Sequence, residues 1–185
     1  MDGVYLLNPT VSSIAPFPAY CENNVEGGGW TVIHRRFNGD LSFNRSWADF
    51  KNGFGDLQGQ FWLGLEKMHQ ITRFFDHELL VLTTLKDGSS RSARFSRFAV
   101  GSELNLYRLL VGQFVAGYSA YRDFTEHNGM TFSTFDKGGK GHYCAAEVGV
   151  GWWYDNCYYE NWNLPFVAKY YVMQEKEARM LIRRL

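Results

Sequence analysis

The sequence predicts an α+β domain in which antiparallel strands and short helices precede an irregular C-terminal half. Leu79 to Leu85 and Ser92 to Val100 have strand composition, and the turn between them contains Asp87 and Gly88, so the pair is expected to form an antiparallel hairpin. Capping residues surround a short helix upstream of this hairpin. From Gly112 onward, glycines, aromatic rings and polar residues intermix without a helical or strand period.

The N-terminal part of the chain is expected to hold strands. Gly3 to Tyr20 fits a short edge strand followed by an irregular loop, because prolines follow the first apolar residues. Gly27 to Gly29 form a glycine turn that leads into a β-branched and aromatic strand over Trp30 to Ile33. Arg35 to Asp40 is interpreted as the turn that ends this strand.

Two short helices are predicted next. Ser46 is placed to cap a helix over Trp47 to Asn52, with Asp49 at its third position and Gly53 to end it. One apolar face marks the second helix, and its members are Leu65, Met68 and either Ile71 or Thr72. In the hairpin that follows, the residues expected to point inward are Ala93, Phe95 and Phe98. Leu109 to Gly112 is a further candidate strand.

Length and charge limit the classes of function. The chain of 185 residues suffices for one sizeable domain, and no internal repeat or linker divides it. Its 19 Lys and Arg residues balance 19 Asp and Glu residues, so no basic field attracts nucleic acid or an acidic membrane. No apolar run approaches the roughly 20 residues that cross a bilayer, and residues 1–20 lack a signal-peptide pattern. We therefore expect neither a nucleic-acid partner nor membrane insertion.

The three cysteines leave several chemistries open. Cys144 and Cys157 flank a loop rich in glycine and aromatic residues, and they either form a disulfide that stabilises the domain by about 3 kcal/mol or remain two buried thiols. His142 and Cys144 form only a fragment of a zinc site, because no second ligand pair stands at the usual spacing. A cysteine protease would need one of these thiols beside His127 or His142, but no nucleophile motif supports it.

Other polar groups give weaker indications of a site. Glu126 and Glu147 are candidates for a glycosidase-like carboxylate pair, but acids in loops are ordinarily solvated surface charges. The glycines at 27–29 enter a strand, and no Lys-Ser or Lys-Thr pair follows them, so they do not predict a phosphate-binding loop. Asn44 begins an N-glycosylation sequon. No enzymatic activity is predicted.

A cluster of aromatic residues around Cys144 and Cys157 is the strongest candidate for recognition. So many rings in one short region cannot all easily be buried. Tyr and Trp offer an apolar face and a polar tip to a sugar, an acetyl group or a protein. The residues of this predicted aromatic rim are Tyr143, Trp152, Tyr154, Tyr158, Tyr159 and Trp162.

Together these residues resemble the fibrinogen C-terminal domain, which is shared by fibrinogen chains, ficolins, tachylectins, tenascins and angiopoietins. The resemblance spans nearly the whole chain. It rests on the blocks GVY at Gly3 to Tyr5, YC at Tyr20 and Cys21, GGGWTVIHRR at Gly27 to Arg36, FNRSWADFKNGFG at Phe43 to Gly55, FWLGLEKMHQIT at Phe61 to Thr72, HNGMTFSTFD at His127 to Asp136, CA at Cys144 and Ala145, GWWYDNC at Gly151 to Cys157, and RMLIRR near the end.

The resemblance implies three parts within one domain: a small N-terminal part at about 1–26, a central twisted antiparallel sheet with short helices at 27–126, and a loop-rich region that binds ligands at 127–185. It also implies that Cys144 pairs with Cys157. Cys21 would normally pair with a cysteine just upstream of the GVY block. The printed sequence has no such cysteine, so we expect an unpaired Cys21 and a domain whose N-terminal edge is cut away.

Two ligand sites of the family are expected to be altered. Family members often bind calcium after the FST block through two aspartates, and here Asp136 fills the first position while Gly138 fills the second. Because Lys140 also places a cation nearby, we expect this degenerate calcium loop to be empty, and no other cofactor is predicted. Similar proteins often have a cis Cys-His peptide beside the recognition pocket, and here Tyr158 replaces the histidine.

The function that the resemblance implies is that of a secreted, non-catalytic recognition module. Its partner is expected to be a protein receptor, as for angiopoietin-like proteins, or a cell-surface or microbial glycan. The alternatives are an acetyl-group-specific lectin of innate immunity and a structural domain of matrix or clot-type assemblies. The full-length protein is expected to form homo-oligomers through an upstream region, as family members do.

Overall fold

The computed structural model describes residues 1–9, 15–155, 157, 161, 163 and 175–185. Its strands are β1 (Gly3–Leu7), β2 (Phe17–Glu22), β3 (Trp30–Phe37), β4 (Phe54–Gly55), β5 (Phe61–Trp62), β6 (His77–Leu85), β7 (Ser90–Phe95), β8 (Phe98–Val100), β9 (Leu109–Val111), β10 (Phe114–Gly117) and β11 (Glu175–Arg184). Its α-helices are α1 (Trp47–Asn52), α2 (Leu65–Thr72) and α3 (His142–Val148), and 3₁₀-helical turns cover Glu103–Asn105 and Ser119–His127. None of the described helices is long and apolar enough to cross a membrane.

Within the described residues, a nine-stranded antiparallel sheet forms the centre of the domain. Its order is β1-β2-β3-β11-β6-β7-β10, and β5 adds to β3 and β4 to β5. β11 comes last in the chain but lies between β3 and β6, where Met180 is opposite His34 on one side and Val81 on the other. Met180 and the following Leu181 are fully buried. The boundary predicted at residue 127 therefore does not separate the last strand from the sheet.

β3 is longer than the sequence suggested. The turn predicted from Arg35 to Asp40 is wrong in its first half, because the strand continues to Phe37. Arg36, within the segment predicted as a turn, is only 3% exposed. Its guanidinium carbon lies 4.4 Å from the centroid of the Phe43 ring, which is the kind of partner that lets a cation be buried.

The capping residues of α1 act as predicted. The Ser46 Oγ accepts a hydrogen bond from the Asp49 backbone N–H at 3.3 Å, and the Asp49 carboxylate accepts one from the Ser46 backbone N–H at 3.3 Å. Together they form a capping box. Gly53 ends the helix with φ of 93°, and a side chain there would collide with the carbonyl of Leu63. This helix and its termination are confirmed.

α2 packs one apolar face against the core. Leu65 and Met68 are fully buried and Thr72 is nearly so, whereas Ile71 is half-buried. The Thr72 hydroxyl donates to the Met68 carbonyl at 2.8 Å and accepts from the Val100 N–H at 3.1 Å, which ties the helix to β8. The predicted face is confirmed, with Thr72 as its third buried member.

β6 and β7 form the predicted antiparallel hairpin, with Leu79 opposite Phe95. Ala93, Phe95 and Phe98 are all buried, as expected. The second strand is shorter than the predicted Ser92 to Val100, because the chain leaves the main sheet after Phe95. β8 pairs instead with β9 in a separate two-stranded sheet.

Candidate recognition surface

A disulfide joins Cys144 to Cys157 and closes the loop of glycine and aromatic residues between them. Cys144 lies in α3, the S–S distance is 2.09 Å and the two Cα atoms are 4.8 Å apart. Of the two states that the spacing left open, the bridge is the one present. Because the bridge uses both thiols, neither cysteine is available as a protease nucleophile or as a zinc ligand.

His127, which was considered as a base for those thiols, supports the fold instead. Its ring is fully buried, and Nδ1 lies 2.7 Å from the Trp153 carbonyl oxygen. A carbonyl oxygen can only accept, so Nδ1 carries the proton and donates. The ring centroid lies 5.4 Å from that of Phe124. Burial disfavours the imidazolium and lowers the pKa of His127.

Two members of the predicted aromatic rim lie in the core, contrary to the prediction. Trp152 is fully buried, and its backbone exchanges hydrogen bonds with Ser133 at 3.0 and 3.1 Å. Tyr154 is 2% exposed; its hydroxyl donates to the Val150 carbonyl at 2.8 Å and accepts from Asn161 Nδ2 at 3.2 Å. Burial raises the pKa of Tyr154. Neither ring offers a face to a ligand.

The loop turns inward because the neighbouring tryptophan completes an aromatic core. Trp153 is fully buried, its Nε1 donates to the Tyr107 carbonyl at 2.8 Å, and its ring centroid lies 5.1 Å from that of Phe132. A side chain at Gly151 would approach the ring of Phe50 to 2.6 Å, so glycine permits this close packing. These partners come from distant parts of the chain.

Tyr143 is the described member of the rim that lies on the surface. It is 71% exposed, and a hydrogen bond with the Glu147 carboxylate one helical turn later raises the pKa of Tyr143. Phe135, which sequence reasoning did not single out, is 46% exposed. His142 Nδ1 donates to the Thr134 carbonyl at 3.0 Å, so the chain neighbours of the two exposed rings are in contact. We call the surface formed by Phe135, His142, Tyr143 and Glu147 the α3 surface.

The other rim residues, Tyr158, Tyr159 and Trp162, lie outside the described residues.

The loop that carries Phe135 is fixed against the start of α1. The Asp136 Oδ1 atom accepts hydrogen bonds from the Trp47 backbone N–H at 2.9 Å and from the Thr134 hydroxyl at 2.7 Å. The Thr134 backbone N–H donates to the Lys137 carbonyl at 2.7 Å. A carboxylate is also favoured by the dipole at a helix N-terminus. Phe135 therefore projects from a loop with a defined backbone.

A charged network beside this loop connects it to two other segments. The Glu103 carboxylate accepts from Lys51 Nζ at 2.6 Å, from Trp47 Nε1 at 2.8 Å and from Lys137 Nζ at 3.3 Å. These donors, Lys51 first, lower the pKa of Glu103 to about 2. The Lys137 ammonium also lies 4.5 Å from the centroid of the Trp47 ring. Side chains, rather than a backbone ladder, hold this region together.

The family model described as fibrinogen beta and gamma chains, C-terminal globular domain, matches residues 1–180. The chain belongs to this family. The predicted resemblance is therefore confirmed, and with it the fibrinogen-like α+β fold.

Individual relatives show how far the likeness extends. Microfibril-associated glycoprotein 4 of Bos taurus is 39% identical over 169 residues, which are 88% of this chain and 66% of that protein. The fibrinogen-like globe domain of human ANGPTL6 superimposes with a TM-score of 0.85 and 33% identity, covering 100% of this chain and 90% of the other. Lamprey fibrin D-dimer, solved with the peptide ligand Gly-His-Arg-Pro-amide, has a TM-score of 0.83 and 26% identity, covering 98% of this chain and 68% of the other. The chain thus spans just under two thirds of the bovine protein's length.

The calcium site that the fibrinogen C-terminal family implies does not fit the residues of this loop. Asp136 Oδ1 already accepts two hydrogen bonds from the protein. At the second carboxylate position, Gly138 lies so close to Ser133 that even a Cβ atom would collide with the Ser133 hydroxyl. The Lys137 ammonium stands beside the same loop. The loop therefore offers one carboxylate, which already accepts hydrogen bonds from the protein, next to a cation. Ca²⁺ needs several oxygen ligands, so these residues do not form a calcium site.

Two further residues from the sequence predictions, Cys21 and Asn44, are not part of the α3 surface. Cys21, on β2 opposite Gly3, is a free and half-buried thiol among the described residues, and burial raises the pKa of this thiol. Asn44 is exposed in the loop before α1. It lines a cleft of 370 Å³ together with Val148 and Gly149 at the end of α3. A glycan on Asn44 would therefore begin next to the C-terminal end of α3.

Proposed function

We propose that this domain is an extracellular, non-catalytic recognition module that binds a protein partner through the α3 surface. Family membership supports a binding role: one relative is named for its association with microfibrils, and another was solved with a bound peptide. A fold hosts many functions, so the choice of site has to come from the surface itself.

The observation that carries the proposal is the exposure of Phe135 and Tyr143 on a rigid support. Their side chains are 46% and 71% exposed, whereas the nearby rings of Phe132, Trp152 and Trp153 are fully buried. The disulfide of Cys144 fixes α3 beneath Tyr143, and the hydrogen bonds of Asp136 fix the loop beneath Phe135. Rings held in place before binding lose little conformational entropy, and aromatic anchors of this kind dominate binding energy at protein interfaces.

The chemistry around the two rings favours a protein over a glycan. Three exposed polar residues lie close to the two rings in the chain: His142, Glu147 and Lys140. Protein interfaces have the same composition, with aromatic rings at the centre and polar groups at the rim. Phe135 has no polar atom to offer a sugar hydroxyl. The proposed binding region also includes three residues that follow Cys157 in the chain, namely Tyr158, Tyr159 and Trp162. Cys157 is bonded to Cys144, the chain neighbour of Tyr143.

Secretion is part of the same proposal. A disulfide persists in an oxidising compartment, and a sequon at the exposed Asn44 suits the secretory pathway. Homo-oligomerisation of the full-length protein through an upstream region also stays a proposal, and it rests on the family resemblance alone. Multimerisation would convert a weak single contact into useful avidity.

The test is a pair of screens with the domain displayed as a tetramer. One screen uses cells that each express a single receptor ectodomain, and the other uses a glycan array. We expect binding to a receptor that is lost with Phe135→Ala or Tyr143→Ala. Tyr118→Ala is the matched control, because Tyr118 is also an exposed tyrosine but lies beside β10 under Arg91. It should bind as the parent does.

Other outcomes would point elsewhere. Binding to acetylated glycans alone, abolished by Tyr158→Ala, would establish the lectin alternative. Binding to assembled matrix fibres with no single receptor would favour a structural role. Receptor binding that survives both the Phe135→Ala and the Tyr143→Ala changes would show that the α3 surface is not the site.

A further inference from the structure

β1 lies at one end of the strand order of the main sheet. Within the described residues it pairs with β2 alone, from Gly3 opposite Cys21 to Leu7 opposite Phe17. The ladder between the two strands contains no bulge. An unpaired strand edge presents a row of backbone N–H and C=O groups that another strand can complete.

This edge lacks the features that usually prevent strand addition. From Gly3 to Leu7 there is no charged residue and no proline. The side chains of Val4, Tyr5 and Leu6 are 42%, 45% and 71% exposed. Lysine, proline, bulges and short length are the usual ways in which native edge strands are protected. β1 uses none of the first three.

The opposite edge of the same sheet is protected. The pairing of β10 with β7 shifts register between Phe114 and Ala116, which marks an irregularity in the strand. The Arg122 guanidinium lies 5.5 Å from the centroid of the Phe114 ring, so a cation stands over this strand. The two ends of the strand order from β1 to β10 therefore differ among the described residues, and of these two ends β1 is the one suited to accept another strand.

We propose that two copies of this chain associate by antiparallel pairing of their β1 strands, in the register centred on Tyr5. In that register Tyr5 faces Tyr5 of the second copy, Val4 faces Leu6, and Gly3 faces Leu7. The residue numbers of each facing pair add to an even number. In a strand, every second residue points its backbone N–H and C=O groups outward. Because the numbers of a facing pair add to an even number, an outward-pointing residue of one copy always faces an outward-pointing residue of the other. Donors and acceptors therefore match.

A second copy fits this edge because the strand is complementary to itself. Val4 and Leu6 lie on one face of β1, so the pairing forms two apolar cross-strand contacts there, and Tyr5 forms an aromatic pair on the other face. Beyond the strand, Asp2 comes opposite Asn8, so no like charges meet. The arrangement has two-fold symmetry and uses the β1 edge of each copy, so this contact closes at a dimer.

This contact is independent of the proposed recognition through the α3 surface. Pairing through β1 extends the sheet at its far end and uses none of Phe135, His142, Tyr143 or Glu147. A dimer formed in this way would present two α3 surfaces at once. Even a weak edge contact would then raise the avidity of a module whose single-site affinity is low.

The test is sedimentation velocity of the 185-residue chain over a range of concentrations, with Cys21→Ser in every variant to exclude disulfide-linked dimers. We expect a concentration-dependent monomer–dimer equilibrium. Leu6→Lys should raise the dimer dissociation constant by about tenfold or more, because it introduces the edge charge that native sheets use against pairing. Leu104→Lys is the matched control: Leu104 is 95% exposed but lies far along the chain, in a 3₁₀ turn. It should leave the equilibrium unchanged.

A charge-exchange experiment tests the register. V4K and L6E should each weaken self-association, and mixing the two variants should restore it, because position 4 of one copy faces position 6 of the other. V4K mixed with V4E should show no such recovery. The thermal midpoints of these variants should stay close to that of the parent, since the side chains of Val4 and Leu6 are 42% and 71% exposed.

A parent chain that stays monomeric at every concentration would overturn the proposal. So would dimerisation that L6K leaves intact, or assembly that grows beyond the dimer. Equal recovery in the V4K and V4E mixture would overturn the register centred on Tyr5.

Discussion

The main sheet and the region that supports the α3 surface are held together by different kinds of interaction. In the sheet, β11 is paired along most of its length with both β3 and β6. Among the described residues of 128–155, strand pairing is limited to an isolated bridge between Ser133 and Trp152. Scattered single hydrogen bonds do the rest there. The Phe132 backbone N–H donates to the Leu106 carbonyl at 2.9 Å. Among side chains, Trp153 Nε1 donates to the Tyr107 carbonyl and His127 Nδ1 donates to the Trp153 carbonyl.

Because of this difference, we expect the sheet to determine the stability of the domain and the region around α3 to determine what the domain binds. A ladder of backbone bonds under apolar side chains can be maintained by many sequences, because Val, Leu, Ile and Met fill similar space. A loop held by single side-chain bonds changes shape when one of those side chains changes. Relatives can therefore share the sheet while presenting different surfaces. We expect changes in the sheet to affect global unfolding and changes around α3 to affect local order and binding.

The largest effect is expected from a cavity in the sheet. Leu181 is fully buried at the centre of β11, and Leu181→Ala should lower the free energy of unfolding by about 2–5 kcal/mol, because the lost contacts leave a void. Urea denaturation followed by tryptophan fluorescence measures this. Leu110→Ala is the control, since Leu110 is 42% exposed in β9 and should cost less than about 1 kcal/mol. Similar losses in the two variants would contradict a core centred on β11.

The disulfide should come next, and its effect should be local as well as global. Replacing both Cys144 and Cys157 by serine frees a loop with a sequence separation of 13 and should cost about 3 kcal/mol by loop-closure entropy. Hydrogen exchange should accelerate mainly in α3 and in residues 149–155. If protection in β6 and β11 fell just as much, the two regions would not be separable units.

Local elements of this fold were predictable from the sequence because their determinants lie close together in the chain. The capping box of α1 needs only Ser46, Asp49 and the adjacent backbone, and the hairpin of β6 and β7 needs only a strand, a turn and a strand. The family resemblance supplied the pairing of Cys144 with Cys157, which spacing alone had left open.

The composition of the α3 surface was not predictable in the same way. Trp152 and Tyr154 were expected outside because aromatic residues are dense there, but their partners Ser133 and Asn161 become visible only once the chain is folded. Phe135 was missed because it directly follows the FST residues, in the block from His127 to Asp136 that was read only as support for the family resemblance. Its polar neighbours, Thr134 and Asp136, are the one signal that it lies in a turn with its ring free.

Acid pH should weaken the region around α3 through His127. Its pKa is lowered in the folded state, chiefly by burial, although the Trp153 carbonyl and Asp155 oppose the shift. Below about pH 6.5 the unfolded chain therefore binds a proton that the folded chain does not, and stability falls by at most about 1.4 kcal/mol per pH unit from this group. Above that pH the contribution of neutral His127 is fully present.

His127→Asn isolates this effect. The pKa of the buried His77 is also lowered, chiefly by burial, so wild type alone would show a mixed response. His77 is common to both proteins and cancels in the difference between their unfolding free energies. That difference should shrink as the pH falls from neutral to mildly acidic values, as chemical denaturation at each pH would show. A difference that is constant with pH would mean that folding leaves the pKa of His127 unchanged.

The smallest effect is expected from the charged network that fixes the loop of Phe135. Lys137 and Glu103 are partly exposed, with side chains 45% and 33% accessible, so Lys137→Gln should cost no more than about 1 kcal/mol. The cost should shrink further in high salt, because screening weakens exposed ion pairs. Lys140→Gln serves as the control, since Lys140 is an exposed lysine of the same loop region. If Lys137→Gln nevertheless changed partner binding far more than Lys140→Gln did, this network would be setting the position of Phe135 rather than the stability of the domain.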